Sequence, residues 1–285
     1  MNTPEKPRKP VARKWLYVML GLTFLFVLMP YLLWQETWFG RPLNDDQMGK
    51  AFTNYVRPRE AQHALSQVAD RIMSPNADVR ASAHKWYPQV LALASSPTDE
   101  LRLTSAWVMG QDNAEPQFHE ALLRLLSDPN PVVQRNAAVQ LVRFNDSSGH
   151  DIIVSMLRPY AMPSPASGKL AERLTPGESV NPGTMVGRIE PAAGAKIEVR
   201  TKVPGMLEQW TVPDGAVVAA GQTLLWLDPS SDMAWEALRA LYIIGKPEDE
   251  ASIVPFAHGV AGMPANVATQ ASATLQAIRS RPPAS

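Results

Sequence analysis

Hydrophobic and polar positions follow three distinct patterns along the 285-residue chain. Residues 15–34, WLYVMLGLTFLFVLMPYLLW, are twenty positions without a charge. At about 1.5 Å rise per residue such a helix spans roughly 30 Å, the thickness of a hydrocarbon core. Trp15 and Tyr17 at one end, and Tyr31 and Trp34 at the other, suit the headgroup layers. The pattern predicts a transmembrane helix, kinked near Pro30. No alanine occurs between Ala12 and Ala51, so an A-x-A cleavage site is missing and the span reads as a retained signal anchor.

A second pattern recurs on both sides of the chain's centre. A proline is followed by an aliphatic residue four on, a small residue four later and an aliphatic four later again: Pro97–Leu101–Ser105–Met109, Pro129–Val133–Ala137–Leu141 and Pro229–Met233–Ala237–Leu241. Val267–Ala271–Leu275 follows Pro264, and Pro75–Val79–Ala83–Tyr87 is a degenerate copy. The i, i+4, i+8 spacing puts these residues on one helical face, with the small one where another helix comes close, and the proline reads as first-turn. Offsets of 32 and 34 residues, and apolar stripes such as Phe118, Ala121, Leu122 and Leu125, predict stacked helix pairs.

Between these repeats, 163–229 is rich in glycine, proline and valine and alternates with period two. It is itself duplicated. Gly168, Gly177, Gly183 and Glu190 match Gly205, Gly215, Gly221 and Asp228 at offsets of 37, 38, 38 and 38. Two four-stranded halves turning at glycines predict a small barrel-like sandwich.

Composition narrows the function classes. Lys and Arg number 27 against 27 Asp and Glu, so a dedicated nucleic-acid binder is excluded by the lack of basic excess. The charge is nonetheless uneven: residues 1–14 carry Lys6, Arg8, Lys9, Arg13 and Lys14 against Glu5 alone. By the positive-inside rule this stub stays cytoplasmic and the body is exported, to a periplasm where there is one. Zero cysteines exclude a disulfide scaffold, a thiolate nucleophile and cysteine-ligated metal.

The segment LLRLLSDPNPVVQRNAAVQLVRF resembles a HEAT repeat of the phycobilisome-lyase-like kind, over roughly 60–160 and 230–280. In that family an arginine recurs beside the aliphatic position; Arg80 and Arg102 match, whereas Gln134 and Ala234 depart, which implies a weaker polar ladder between repeats. The runs Gly177–Val180–Gly183–Val186 and Gly215–Val218–Gly221–Leu224 resemble the biotinyl/lipoyl domain of biotin and lipoate carriers and of membrane-fusion adaptor proteins. The resemblance implies a lysine at the apex of the hairpin joining the halves. Here Ala193 holds that place, and Lys196 lies three residues later, at the start of the next strand. The adaptor likeness implies a long helical hairpin between the halves, for which 191–200 is too short.

Catalytic signatures are missing. His63, His84, His119, His150 and His258 lack metal-ligand spacing, Asp45–Asp46 lacks EF-hand spacing, and Gly259–Gly262 reads as a turn. Trp86, Trp107, Trp210, Trp226 and Trp235 read as packing residues.

The expected architecture is therefore an α+β multidomain chain. It has a basic stub (1–14), a transmembrane helix (15–34), a linker (35–59), HEAT-like helical repeats (60–160), an inserted all-β biotinyl/lipoyl-like barrel-sandwich (163–229) and C-terminal HEAT-like repeats (230–281), with 159–165 leading into the sandwich. The expected function is a non-catalytic, single-pass inner-membrane scaffold or accessory subunit of an envelope complex. Its partners would be proteins in or near the membrane, with no nucleic acid, small-molecule substrate, cofactor or metal. The sandwich tip, Pro191, Ala192, Ala193, Gly194 and Ala195, is the candidate interaction site. Alternatives are a shortened periplasmic adaptor of an export system and a biotin or lipoate carrier using Lys196.

Overall fold

The computed structural model describes residues 13–36, 42–53 and 58–281. It divides into two compact units, residues 1–67 and 68–285. In the first, helix α1 spans Arg13–Glu36 and α2 spans Asp45–Thr53, and α3 begins at Pro58. The region read as a linker thus contains a helix. Its start is a reciprocal cap: the Gln47 N–H donates to Asn44 Oδ1 at 2.9 Å, and the Asn44 N–H donates to Gln47 Oε1 at 3.0 Å. Asp45 and Asp46 occupy the first turn, where carboxylates complement the helix dipole.

The expected fold class is corrected on two points. Among the described residues no helix is long and apolar enough to cross a membrane. The transmembrane helix at 15–34, the signal anchor and the single-pass inner-membrane placement with a cytoplasmic stub and periplasmic body are withdrawn. Residues 1–12 of that stub, and 37–41 and 54–57 of the linker, lie outside the described residues. HEAT repeats are not shown either. The degenerate copy at Pro75–Tyr87 breaks into a seven-residue helix α4 (Ala77–Ala83) and a 3-10 turn (His84–Trp86), and leaves Val79 exposed. What stands is a largely helical chain with two small antiparallel sheets.

In the second unit α5 (Tyr87–Leu93), α6 (Asp99–Met109), α7 (Pro116–Leu125), α8 (Pro131–Val142) and α9 (His150–Ser155) follow α4. The i, i+4, i+8 positions face inward: Leu101, Ser105, Met109, Val133, Ala137, Leu141, Ala237 and Ala271 are all buried. The prolines of the copies stand just outside the helices rather than in the first turn. Asn130, after Pro129, accepts the Val132 N–H at 2.9 Å, and Ser230, after Pro229, accepts the Met233 N–H at 3.3 Å. In these two copies proline fixes the approach and the next residue caps, because proline has no side-chain acceptor; Thr98, after Pro97, makes no such cap.

Eight strands come next. β1 (Tyr160–Pro163), β8 (Thr223–Pro229), β6 (Gly205–Trp210) and β3 (Ser179–Val180) form one antiparallel sheet in that order. β5 (Ile197–Arg200), β4 (Met185–Glu190), β2 (Gly168–Glu172) and β7 (Val217–Val218) form the other. Leu170, Val186, Ile189, Leu207, Leu224 and Leu227 fill the space between them. The 159–165 lead-in is itself a strand, since Tyr160–Met162 pair with Leu227–Leu225. Gly177 (φ 92°) and its counterpart Gly215 (φ 78°) take turn conformations that only glycine adopts without strain.

The chain then returns to helix with α10 (Ser231–Ile244), α11 (Glu250–Ala257) and α12 (Ala265–Arg279). Helices from before and after the sheets share one core: Ala138, Ile153 and Met156 pack with Ala234, Leu238 and Ile253. His150 Nε2 and Asp249 Oδ2, 2.8 Å apart and both buried, tie the two helical segments across the β module. Val132 of α8 packs on the core of the sheets, which fixes them against the helices.

Candidate functional site

Where the sheets meet the helices, a groove of about 900 Å³ opens. One wall is helical, from Leu103, Thr104 and Trp107 of α6, Arg135 of α8 and Met233 of α10. The other comes from the β module: Ser179 and Val180 of β3, Pro182, Pro204 and Met206. The loop Val260–Met263, read from sequence as a plain turn, closes one side. Four methionines, at 156, 206, 233 and 263, line it. Strand β3 is the last of its sheet, and its two residues, Ser179 and Val180, both line the groove.

The charges in this groove are unevenly compensated. Arg135 is the one charged residue of α8 and is only 7% exposed. Its Nη1 contacts the Met233 sulfur at 2.9 Å, and its guanidinium lies 5.6 Å from the centre of the Tyr160 ring. Burial pushes this guanidinium below its ordinary value, with Tyr160 opposing. Asp228, half-buried at the end of β8, is pushed up by burial. Glu236, at the rim, is pushed up by partial burial against the wall and by Asp232, with Arg239 opposing.

The other arginine of comparable burial is fully paired. Arg102 donates from Nε to Asp128 Oδ2 at 2.6 Å and from Nη2 to Oδ1 at 2.9 Å, and from Nη1 to the Ser96 carbonyl at 2.9 Å. That pair is architectural, joining α6 to the turn before α8.

The residues singled out from sequence fall elsewhere. Pro191–Ala195 form the connection from β4 to β5; Ala192–Ala195 are exposed and none of the five lines the groove. Lys196 follows them immediately before β5 and is ion-paired with Glu190. The histidines are dispersed: His119 bonds Asp146 at 2.6 Å, His150 bonds Asp249, and His84 stacks edge-on with Tyr87 at 4.9 Å. Among the described residues no group of three or more His, Asp or Glu side chains could hold a metal ion. Sequence reasoning missed Arg135, although one signal was present: a lone charge in a helix whose neighbours Val133, Ala137, Ala138 and Leu141 are core residues. It could not supply the groove, because α6 and α8 meet β3 and β6 only through tertiary packing.

No family model matches the chain, and no curated protein is similar to it. Among solved structures it is similar to a single-chain, multi-domain long-chain acyl-CoA carboxylase, at 15% identity over 44% of this chain and 14% of that chain, with a TM-score of 0.24, a likeness too slight to carry any argument about fold or function.

Proposed function

We propose that this chain is a non-catalytic interaction module that holds a segment of another protein in the groove between α6, α8, α10 and β3. The observation that carries this reading is the groove's composition. It is apolar and roomy, about 900 Å³, and lined by four methionines and by the terminal strand of a sheet. Methionine side chains re-pack around varied apolar partners, and an edge strand offers backbone donors and acceptors to an extended chain. In the helical wall α8 and α10 belong to one core.

The test is position-specific photocrosslinking of the full chain in its native cell. A photoreactive residue at Thr104 or Met206, both in the groove, should give an adduct with one contiguous segment of the same partner. The same residue at Val217, 82% exposed on β7, should not. No adduct from either groove position, or identical adducts from Val217, would sink the reading.

A further inference from the structure

Arg135 has no oxygen acceptor among the described residues. A guanidinium presents five N–H donors in a planar fork that matches a carboxylate, and burying it without an anion is strongly unfavourable. Native folds rarely leave a buried polar group in that state unless something else completes it. The same protein shows the compensated alternative at Arg102, whose fork is filled by Asp128. Asp228, Asp232 and Glu236 line the groove with Arg135, yet none of them bonds it. The groove acids therefore leave the Arg135 fork open to an anion from outside the chain. The occupant's form follows from the other wall. β3 ends its sheet at the groove, so an extended segment can lie along Ser179–Val180 with alternate side chains directed across to the helices.

On the footing that the groove holds a partner segment, we propose that Arg135 receives the side-chain carboxylate of an aspartate or glutamate in an extended apolar peptide laid against β3. The peptide's carboxylate accepts two N–H bonds from the fork, and its apolar neighbours meet Met206, Met233 and Val180. No bond is made or broken. An acid at this position is selected over its neutral amide because only the charged group completes the guanidinium.

The test uses the full chain and two pools of N-acetylated, C-amidated apolar octapeptides, one with a central glutamate and one with glutamine. The wild-type protein should bind the glutamate pool about tenfold more tightly, the size expected of hydrogen bonds to a charged group. Arg135→Met should abolish the preference and leave the thermal midpoint unchanged or higher, because a buried cation without an anion has been removed. Arg135→Lys, which keeps the charge without the fork, should retain part of the preference. A preference that survives Arg135→Met overturns the proposal. So does a fall of several degrees in the midpoint with no glutamate preference in the wild type, which would make Arg135 a structural residue. If both pools bind equally and both suppress the Met206 crosslink, the groove reading stands and the role of Arg135 is refuted. If neither binds and the groove positions give no crosslink, the groove reading fails together with it.

Discussion

A β-carbon built on Gly205 would stand 2.5 Å from the carbonyl oxygen of Asp228. The same relationship recurs at the matching pair in the first half of the duplication, where a β-carbon on Gly168 would meet the Glu190 carbonyl oxygen at 2.5 Å. In each half, then, the repeated glycine and the repeated acid are adjacent backbone positions, and it is the main chain of the acid that demands the glycine. Gly205→Ala must push β6 from β8, at a cost on the order of 1–3 kcal/mol. Urea denaturation should show that loss. Gly49→Ala, in helix α2 with nothing within 4 Å of the new carbon, should by contrast gain about 0.5–1 kcal/mol. Equal behaviour of the two variants would refute the close-approach argument.

The Arg102–Asp128 pair predicts a pH dependence. Burial pushes the Asp128 carboxyl up, but the Arg102 hydrogen bond, the Asn130 N–H and the guanidinium charge outweigh it and hold the group below its ordinary value. A carboxyl whose value is depressed on folding stabilises the fold above its unfolded value, near 3.9, and loses that contribution as pH falls through the lower folded value. Asp128→Asn should therefore cost about 2 kcal/mol at pH 7. The gap between variant and wild type should be constant down to about pH 5 and then close on further acidification. Urea midpoints across that range check it; a gap that widens in acid would reverse the sign assigned here.

Some of this fold was legible one residue at a time. The small residue of each repeat, Ser105, Ala137, Ala237 and Ala271, is wholly buried, as close helix approach requires. Gln134 is more instructive. It departs from the arginine found at Arg80 and Arg102, yet its amide donates to the Asp128 carbonyl at 2.6 Å, six residues back. Arg80 reaches the Ser74 carbonyl at 2.7 Å and Arg102 the Ser96 carbonyl at 2.9 Å, also six back. The contact with the carbonyl six residues back outlives the change of residue; it lies within one segment and says nothing of a ladder between repeats. The N-D-D-Q start of α2 was a local capping signal passed over because the surrounding stretch looked like a linker. The groove had no such signal. It exists because α8 packs on the β module, through Val132 and through Tyr160 beneath Arg135, and periodicity within either segment says nothing of that docking.

The repeat pattern itself supplies a stabilising substitution. Ser105 occupies the place held by alanine in the matching copies, and its hydroxyl oxygen is buried with no hydrogen-bond partner. A buried hydroxyl left without a partner costs about 1–3 kcal/mol. Ser105→Ala removes that cost without leaving a cavity larger than one oxygen atom, so a gain of about 1 kcal/mol is expected, visible as a rise of roughly 2–4 °C in the thermal midpoint. A lower midpoint would show that the hydroxyl is satisfied within the fold.

Lys196 offers a last discrimination, between a module that only binds and one that carries a covalently attached group. A carrier presents its amine at the outermost point of the connection between the two halves, free to reach a modifying enzyme. In this chain the outermost positions are Ala192, Ala193, Gly194 and Ala195, none with an amine, and Lys196 stands beside the first residue of β5 with Glu190 as its partner. The hydrogen bond and charge of Lys196 hold the Glu190 carboxyl below its ordinary value. That pair is too exposed to add much stability, so its significance is positional: the amine is drawn back along β4 rather than presented at the tip. The intact mass of protein purified from its own cell should therefore equal that of the unmodified chain, and Lys196→Gln should leave groove crosslinking unchanged. A biotinyl or lipoyl increment that disappears in Lys196→Gln would instead make the β module a carrier and the groove a secondary feature.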